Sequence, residues 1–433
     1  MEIIIHRGAH VIGGTCIEIN SNGCRILIDM GTPLMDKDGG EIDERKLAAP
    51  SIENGILPDV KGLYKDQQPG IDAVLISHGH LDHYGLLDHI HPSIPVFLSR
   101  GSRALIGVSR IFYPPNSKVF YENFKTFRHW QPFSLGPFTI TPYLVDHSAY
   151  DAAAFLIAAE GRKVFYSGDF RGHGRKAVLY ENMITYPVRE VDCLLMEGTT
   201  LNGGHCDGLK NETEVENALS AIFRGQKDLS FIVASGSNID RLVSIYRASR
   251  RSEKTLVMDL YTVYVLEKLK EITPKLPPFE GDNVRIVYLK KHARDIVDNI
   301  GRDLLYKYRH RKIEIGEIAE NRHQMVLKLP VSAMKRVADH LMKDKPVDQS
   351  AFIFSMWPGY LEKESCFYDF CTEYGAELTK VHVSGHAYLD ALKGLAGALR
   401  PGMLVPVHTL SGDDFKNHFE NVVRIDDATT FTL

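Results

Sequence analysis

Short apolar runs bounded by Gly, Pro, Asn or Asp dominate the first part of the chain. Nine of them read as strands: Ile3–His6, Cys16–Ile19, Arg25–Asp29, Ala73–Ser77, Val96–Leu98, Thr139–Leu144, Ala153–Ala158, Lys163–Ser167 and Cys193–Met196. Helical spacing is sparse there, and Leu81–Ile90 is its clearest stretch. The middle changes period. Asn211-Glu-Thr-Glu predicts a helix start ahead of Ala218, Leu219, Ile222 and Phe223. The apolar runs Phe231–Ser235 and Thr255–Met258 are each followed by helical spacing, over Arg241–Ser249 and Val263–Ile272. Strand alternating with helix predicts a parallel α/β unit. Pro274 to Pro278 break the pattern. Near the end, Leu389, Leu392, Ala396 and Leu399 share one face of a helix expected over His386–Leu399. Pro401-Gly402 stops it, and Met403–Val407 reads as a strand. The pattern predicts a β-rich domain over 1–203 and 376–433, with an α/β insertion over 204–375.

Composition narrows the class. The chain has 433 residues, too many for one simple core, and is 44% hydrophobic and 24% charged, as in ordinary globular proteins. A net charge of −4 gives no global attraction for nucleic acid, so a polyanion has to be held by a local basic patch or by metal. Cys16, Cys24, Cys193, Cys206, Cys366 and Cys371 form no CxxC pair, and are expected to be reduced thiols of a cytoplasmic protein. MEIIIHRGAHVIGG has no charged segment leading into a long apolar run, so no export signal is expected. No apolar run reaches membrane length, so no membrane partner is expected.

The densest chemistry is SHGHLDHYG, Ser77 to Gly85. Imidazole nitrogen and carboxylate oxygen are good zinc donors. Alternate residues of an extended segment project to one side, so His78 and His80 can grip one ion, and the following turn can send Asp82 and His83 toward a second. A mononuclear site needs about three protein ligands and this run offers four donors, which predicts two metals with further ligands downstream. His147, Asp169 and His408 each follow an expected strand, where a sheet holds a ligand still. Taken singly, His147 reads equally well as a surface histidine, and Asp169 in SGD as a turn residue.

HxHxDH, a later isolated His, then SGD, resembles the metallo-β-lactamase superfamily. The resemblance implies an αββα sandwich with metals at one edge. It implies His78, His80 and His147 on one zinc, Asp82, His83 and a late histidine on the other, and Asp169 bridging. Asp29, ending RILID, matches that family's structural aspartate. LLMEGTT (Glu197), VHVSGHA (His382, Ser384, His386) and LVPVHT (His408) resemble the successive later motifs of the β-CASP group, nearest to the ribonuclease J family. That group carries a cap domain inserted into the metallo-β-lactamase fold, and the insertion over 204–375 is where it belongs. The usual C-terminal domain of that family has no counterpart here, so its usual dimer contact is not expected and a homo-oligomer stays open.

The function this implies is a zinc-dependent ribonuclease, endo or 5′ exo, cutting RNA by two-metal hydroxide attack, with manganese able to replace zinc. Asp82 and Asp169 would orient the nucleophile, and His386 would polarise the phosphate or protonate the leaving oxygen. Glu197 would hold His386. His382, Ser384 and the backbone at Gly385 would grip phosphate just ahead of a helix N-terminus. In the group, histidine rather than valine at the place of His408 goes with RNA. The alternatives are a hydrolase of small phosphoesters or nucleotides, a DNA-directed nuclease, and an inactive RNA-binding subunit.

Inside the cap, Arg285–Lys312 interleaves Lys290, Lys291, Arg294, Arg302, Arg309 and Arg311 with Tyr288, Tyr306 and Tyr308. It reads either as a strip that tracks single-stranded RNA or as a solvated face with tyrosines in the core. Arg241 in SGSNIDR is a phosphate-contact candidate. Trp357 in SMWPGYL is expected to anchor the core.

Overall fold

β-Branched and aromatic runs pair into three sheets. The computed structural model describes residues 1–35, 40–113, 121–203, 208–342, 349–357, 365–375 and 377–433. Strands are numbered in chain order. The first sheet contains β1 (Glu2–Arg7), β2 (Cys16–Ser21), β3 (Cys24–Ile28), β4 (Ala73–Leu75), β5 (Val96–Leu98), β6 (Phe124–Thr126) and the last strand, β19 (Thr430–Thr432). Its order is β19-β1-β2-β3-β4-β5-β6. The second contains β7 (Phe133–Leu135), β8 (Phe138–Leu144), β9 (Ala153–Ala159), β10 (Arg162–Tyr166), β11 (Cys193–Glu197) and β18 (Met403–Val407), in the order β18-β11-β10-β9-β8-β7.

Alternation explains how the two sheets join. Ile3 and Ile5, Ile17 and Ile19, Ile26 and Ile28, and Ala73 and Leu75 point from the first sheet into one buried cluster. Ile140, Phe155, Ile157, Val164, Tyr166, Leu195 and Val405 enter it from the second. Residues at i and i+2 share a sheet face, so each strand contributes its apolar half. The opposite face of the second sheet, with Phe165, Leu194, Met196 and Leu404, is covered by Leu392, Leu395 and Leu399 of the helix Leu389–Leu399. Each fully buried Leu or Ile adds about 1.5–3 kcal/mol.

Contacts divide the chain into two units. One is Met1–Arg103, Pro115–Gly204 and Gly385–Leu433; the other is Ala104–Pro114 and His205–Ser384. The second unit holds the third sheet: β12 (Ser230–Val233), β13 (Thr255–Asp259), β14 (Val284–Val287), β15 (Met325–Lys328), β16 (Ala351–Phe354) and β17 (Leu378–Lys380). Its order is β14-β13-β15-β12-β16-β17, and every pairing is parallel. Asn211 caps the helix Glu212–Gly225, its side chain accepting from Thr213 N and Glu214 N. The second unit runs past the expected end at 375 because β17 pairs with β16.

Three local expectations differ. Leu81–Ile90 is one α-turn, Leu81–Tyr84, then a 3-10 turn, Leu87–His89. The helix expected from His386 starts at Leu389, because Glu197 takes the Ala387 N–H at 3.3 Å and the His386 ring at 3.2 Å. Trp357 is exposed, not a core anchor; residues 358–361 of the same motif, like Cys206, lie outside the described residues. No helix among the described residues is long and apolar enough to cross a membrane.

Candidate metal centre

The strands β4, β8, β10, β11 and β18 deliver their following residues to one edge of the first unit. β10, β11 and β18 run parallel, and β8 is antiparallel to β9, which is antiparallel to β10. His78, His147, Asp169, Glu197 and His408 lie at or just past these strand ends.

The loop from His80 to His83 is clamped by backbone bonds. Gly14 N donates to Asp82 O at 3.0 Å, Met30 N to His83 O at 2.8 Å and Thr32 N to Leu81 O at 2.9 Å. The approach requires glycine at 31, where a Cβ would stand 1.6 Å from Asp82 O.

Four trios of donors follow, each with its ligand atoms within 4.8 Å: His78, His80 and His147; His78, His83 and Asp169; Asp82, His83 and His408; Asp169, His386 and His408. In the first, His80 Nδ1 lies 3.1 Å from His78 Nε2 and 3.3 Å from His147 Nε2. His147 Nδ1 donates to Gly385 O at 2.6 Å, which leaves Nε2 with its lone pair. In the third, Asp82 Oδ2 lies 3.7 Å from His83 Nε2 and 3.8 Å from His408 Nε2. Asp169 Oδ2 sits among both sets, 3.8 Å from His78 Nε2, 3.1 Å from His83 Nε2 and 3.7 Å from His408 Nε2.

The residues fit metal. Both Asp169 oxygens and the Nε2 atoms of His83 and His408 are buried without a hydrogen-bond partner. His83 Nε2 is close to Asp169 but poorly aligned for a bond. Orphaned buried donors and acceptors are costly, and a cation at these lone pairs satisfies them together.

The outer contacts set each ring. Asp29 is wholly buried and accepts from Ser77 N (2.7 Å), Ser77 Oγ, Tyr166 Oη and His83 Nδ1 (2.8 Å each). His83 therefore turns Nε2 to the centre. His408 Nδ1 meets Thr15 Oγ1 at 2.8 Å. Glu197 accepts from Phe170 N at 3.2 Å and Thr199 N at 3.2 Å, and takes His386 Nδ1 at 3.2 Å.

Burial holds His78 and His147 well below the ordinary imidazole range and His80 at about 4, so these three are neutral at pH 7. Burial also opposes charge on His386, but Glu197 and Asp169 overcome it and raise His386 to about 9. Burial likewise opposes charge on Asp169, yet His408, His83 and His386 keep it ionised, well below the carboxylate range.

Three expected site residues lie in the second unit. His382 and Ser384 are buried there. Arg241 is also buried, and it departs from the expectation. Its guanidinium has no exposed surface and donates to Glu212, Ser355 and backbone carbonyls, so it has none left for phosphate. The basic strip is divided: Lys290, Lys291, Arg294, Arg302, Arg309 and Tyr306 are exposed, whereas Arg311 and Tyr308 are buried. Arg311 is buried against Phe279 O, Tyr308 bonds Glu267, and Arg285, Lys291 and Lys307 pair with Glu317, Asp295 and Glu267. Thr15 and Tyr166 were not singled out from sequence. Tyr166 sits inside an apolar strand-like run and Thr15 just ahead of one, and the partner that gives each its meaning is over a hundred residues away.

Residues 43–221 match the family described as the beta-lactamase superfamily domain. The chain is similar to Ribonuclease J of Mycobacterium tuberculosis, 24% identical over 422 residues covering 93% of this chain and 67% of the relative. It is also similar to a probable RNase, MJ4, of Methanocaldococcus jannaschii, 27% identical over 281 residues covering 61% and 58%. The chain thus spans about two thirds or less of these relatives' length. A crystal structure of a protein of unknown function from Enterococcus faecalis V583 shares the fold, with TM-score 0.77, 19% identity and coverage of 100% and 99%. With its donor-bearing strand ends, its two-sheet sandwich and these relatives, the chain carries over residues 43–221 a match to the beta-lactamase superfamily domain and is similar to ribonuclease J proteins.

Proposed function

We propose that this protein is a metal-dependent ribonuclease that hydrolyses RNA phosphodiesters with two zinc ions. The observation that carries the reading is Asp169 Oδ2, which stands within 3.8 Å of both His78 Nε2 and His408 Nε2, members of two different donor sets. His78, His80 and His147 would hold one ion and Asp82, His83 and His408 the other, with Asp169 shared. Ions held there supply positive charge against the phosphodiester and lower the pKa of water. Relatives named as ribonucleases, and histidine at 408, favour RNA over DNA.

The remaining work falls to the chain's own groups. Asp82, fixed by its backbone bond from Gly14, orients the attacking water. Glu197 holds a proton at His386 Nδ1, which fixes the ring so that Nε2 meets the substrate oxygen. His382 and Ser384 hold phosphate.

The test is an RNA labelled at both ends and carrying a 5′-monophosphate, beside DNA of the same sequence, with zinc or manganese added. Wild type should cut RNA alone, and Asp82→Ala should lose cleavage while keeping the far-UV spectrum and melting temperature of the metal-free protein. Full activity in Asp82→Ala would overturn the mechanism. Failure of wild type to cut either polymer would overturn the substrate class and make nucleotides the next substrates to try.

A further inference from the structure

Arg241 spends its donors inside the second unit. Nη2 and Nε reach the two Glu212 oxygens at 2.9 and 3.3 Å. Nη1 reaches the Ser355 carbonyl and the Ser355 hydroxyl at 2.7 Å each. Glu212 is completed by the Ser244 hydroxyl at 2.7 Å. A buried ion pair with its remaining valences filled in this way is a rigid fixture.

One contact in the set decides a proton. Arg241 Nη1 lies 3.2 Å from His382 Nδ1. A guanidinium has five N–H groups, no acceptor, and does not lose its proton in proteins. Toward it, Nδ1 can only accept. In a neutral imidazole one nitrogen donates and the other accepts, so the His382 proton resides on Nε2. A second proton at Nδ1 would set N–H against N–H and place a cationic ring beside the guanidinium.

We propose that Arg241 is a positioning residue that locks His382 as the neutral Nε2–H tautomer, so that His382 meets its ligand solely as a hydrogen-bond donor. The matching partner is an anionic oxygen of a phosphate, and the assignment of that oxygen to RNA rests on the proposed function. Arg241 thus acts on phosphate through His382. Ser355 extends the fixture: its hydroxyl donates to Val381 O at 2.6 Å, which ties the end of β16 to the segment that carries His382.

The test reads the tautomer directly in the full-length, zinc-loaded protein. Histidine-labelled samples would be recorded in long-range ¹H–¹⁵N correlation spectra, with the His382 signals assigned by their absence in His382→Gln. The expected result is an unprotonated Nδ1 and a protonated Nε2. A protonated Nδ1 in wild type would overturn the inference whatever the activity. Arg241→Met combined with Glu212→Gln removes both charges together, and should give a mixed tautomer and raise KM for RNA on the order of tenfold with kcat little changed. An unaltered tautomer in a folded double variant would also overturn it. If the double variant does not fold, the wild-type spectrum still decides. A wild type with the expected tautomer and no cleavage of RNA refutes the proposed function and leaves the role of Arg241 standing.

Discussion

At the scale of single residues, the metal centre depends on groups that never reach it. Thr15 is the clearest. It is fully buried, and its hydroxyl is 2.8 Å from His408 Nδ1, while the Gly13 N–H stands back at 3.4 Å. Gly13 N–H points at Nδ1 as a donor, and with a cation on Nε2 the ring proton would sit on Nδ1, where the Thr15 hydroxyl is the oxygen placed to accept it. Thr15→Val keeps the shape and removes the acceptor, so zinc affinity should fall about 10–100-fold in competition with a chromogenic chelator, with Thr15→Ser near wild type. Equal affinity in Thr15→Val would show that the hydroxyl does not set the ring. Glu18 makes a separate prediction, about stability. Burial pushes its carboxyl up, but bonds from His6 and Arg25 outweigh this and bring it down to about 2. A carboxyl depressed in the folded state adds stability above its unfolded pKa, and loses it as pH falls toward the folded value. Urea unfolding should therefore separate wild type from Glu18→Gln most at pH 7, with the gap narrowing below about pH 4. A gap that widens with acid would mean that His6 and Arg25 do not stabilise the anion.

At the scale of elements, strand ends place ligands, and the turns after them are the sensitive points. Gly168, between β10 and Asp169, has φ +54, and a Cβ there would stand 2.6 Å from Ala153 O. Gly168→Ala should destabilise the protein by on the order of 1–3 kcal/mol and displace Asp169, lowering bound metal per chain. Unchanged stability and full metal content would show that the turn tolerates a side chain. This dependence on strand ends also explains how much was legible in the sequence. Runs such as Ile26–Ile28 and Val405–Val407 sit in two-sided cores, so their apolar pattern and their bounds agree closely with the sheets. All seven expected ligands, His78, His80, Asp82, His83, His147, Asp169 and His408, stand together because each follows such a run. What sequence could not supply was tertiary in origin. The short strands β6 and β7 carry little alternation, and the helix Arg100–Phe112 is obscured by Gly101 and Gly107. His386 and Ala387 fit a helical pattern but are held out of it by Glu197. Arg241 is chemically suited to phosphate, and nothing in its neighbours along the chain announces Glu212 or Ser355 as partners.

At the scale of the whole molecule, the two units are stabilised by different means. The second carries its own buried cluster, including Phe231, Leu327, Met334, Val337, Phe352 and Phe370, around a parallel sheet, and its buried Arg241–Glu212 pair is internally satisfied. The first also has an apolar core, but it gathers six buried or half-buried imidazoles and two carboxylates at one edge, with four buried atoms there lacking hydrogen-bond partners. A ligand that binds the folded state alone stabilises it by RT ln(1 + [L]/Kd), about 4 kcal/mol at a thousandfold excess over Kd. That gain belongs to the unit that holds the donors. Chelation should therefore accelerate amide exchange in the first unit, most at Ser77–Gly85 and around Asp169 and His408, and leave the strands β12 to β16 unchanged. Mass-resolved hydrogen exchange of the full chain, with zinc and then with excess chelator, reads both at once. Equal acceleration in both units would mean that the metal supports the molecule as one cooperative body. No acceleration near Ser77–Gly85 would mean that these donors are held by the sandwich alone, and that the orphaned atoms of Asp169, His83 and His408 are satisfied by something other than a cation.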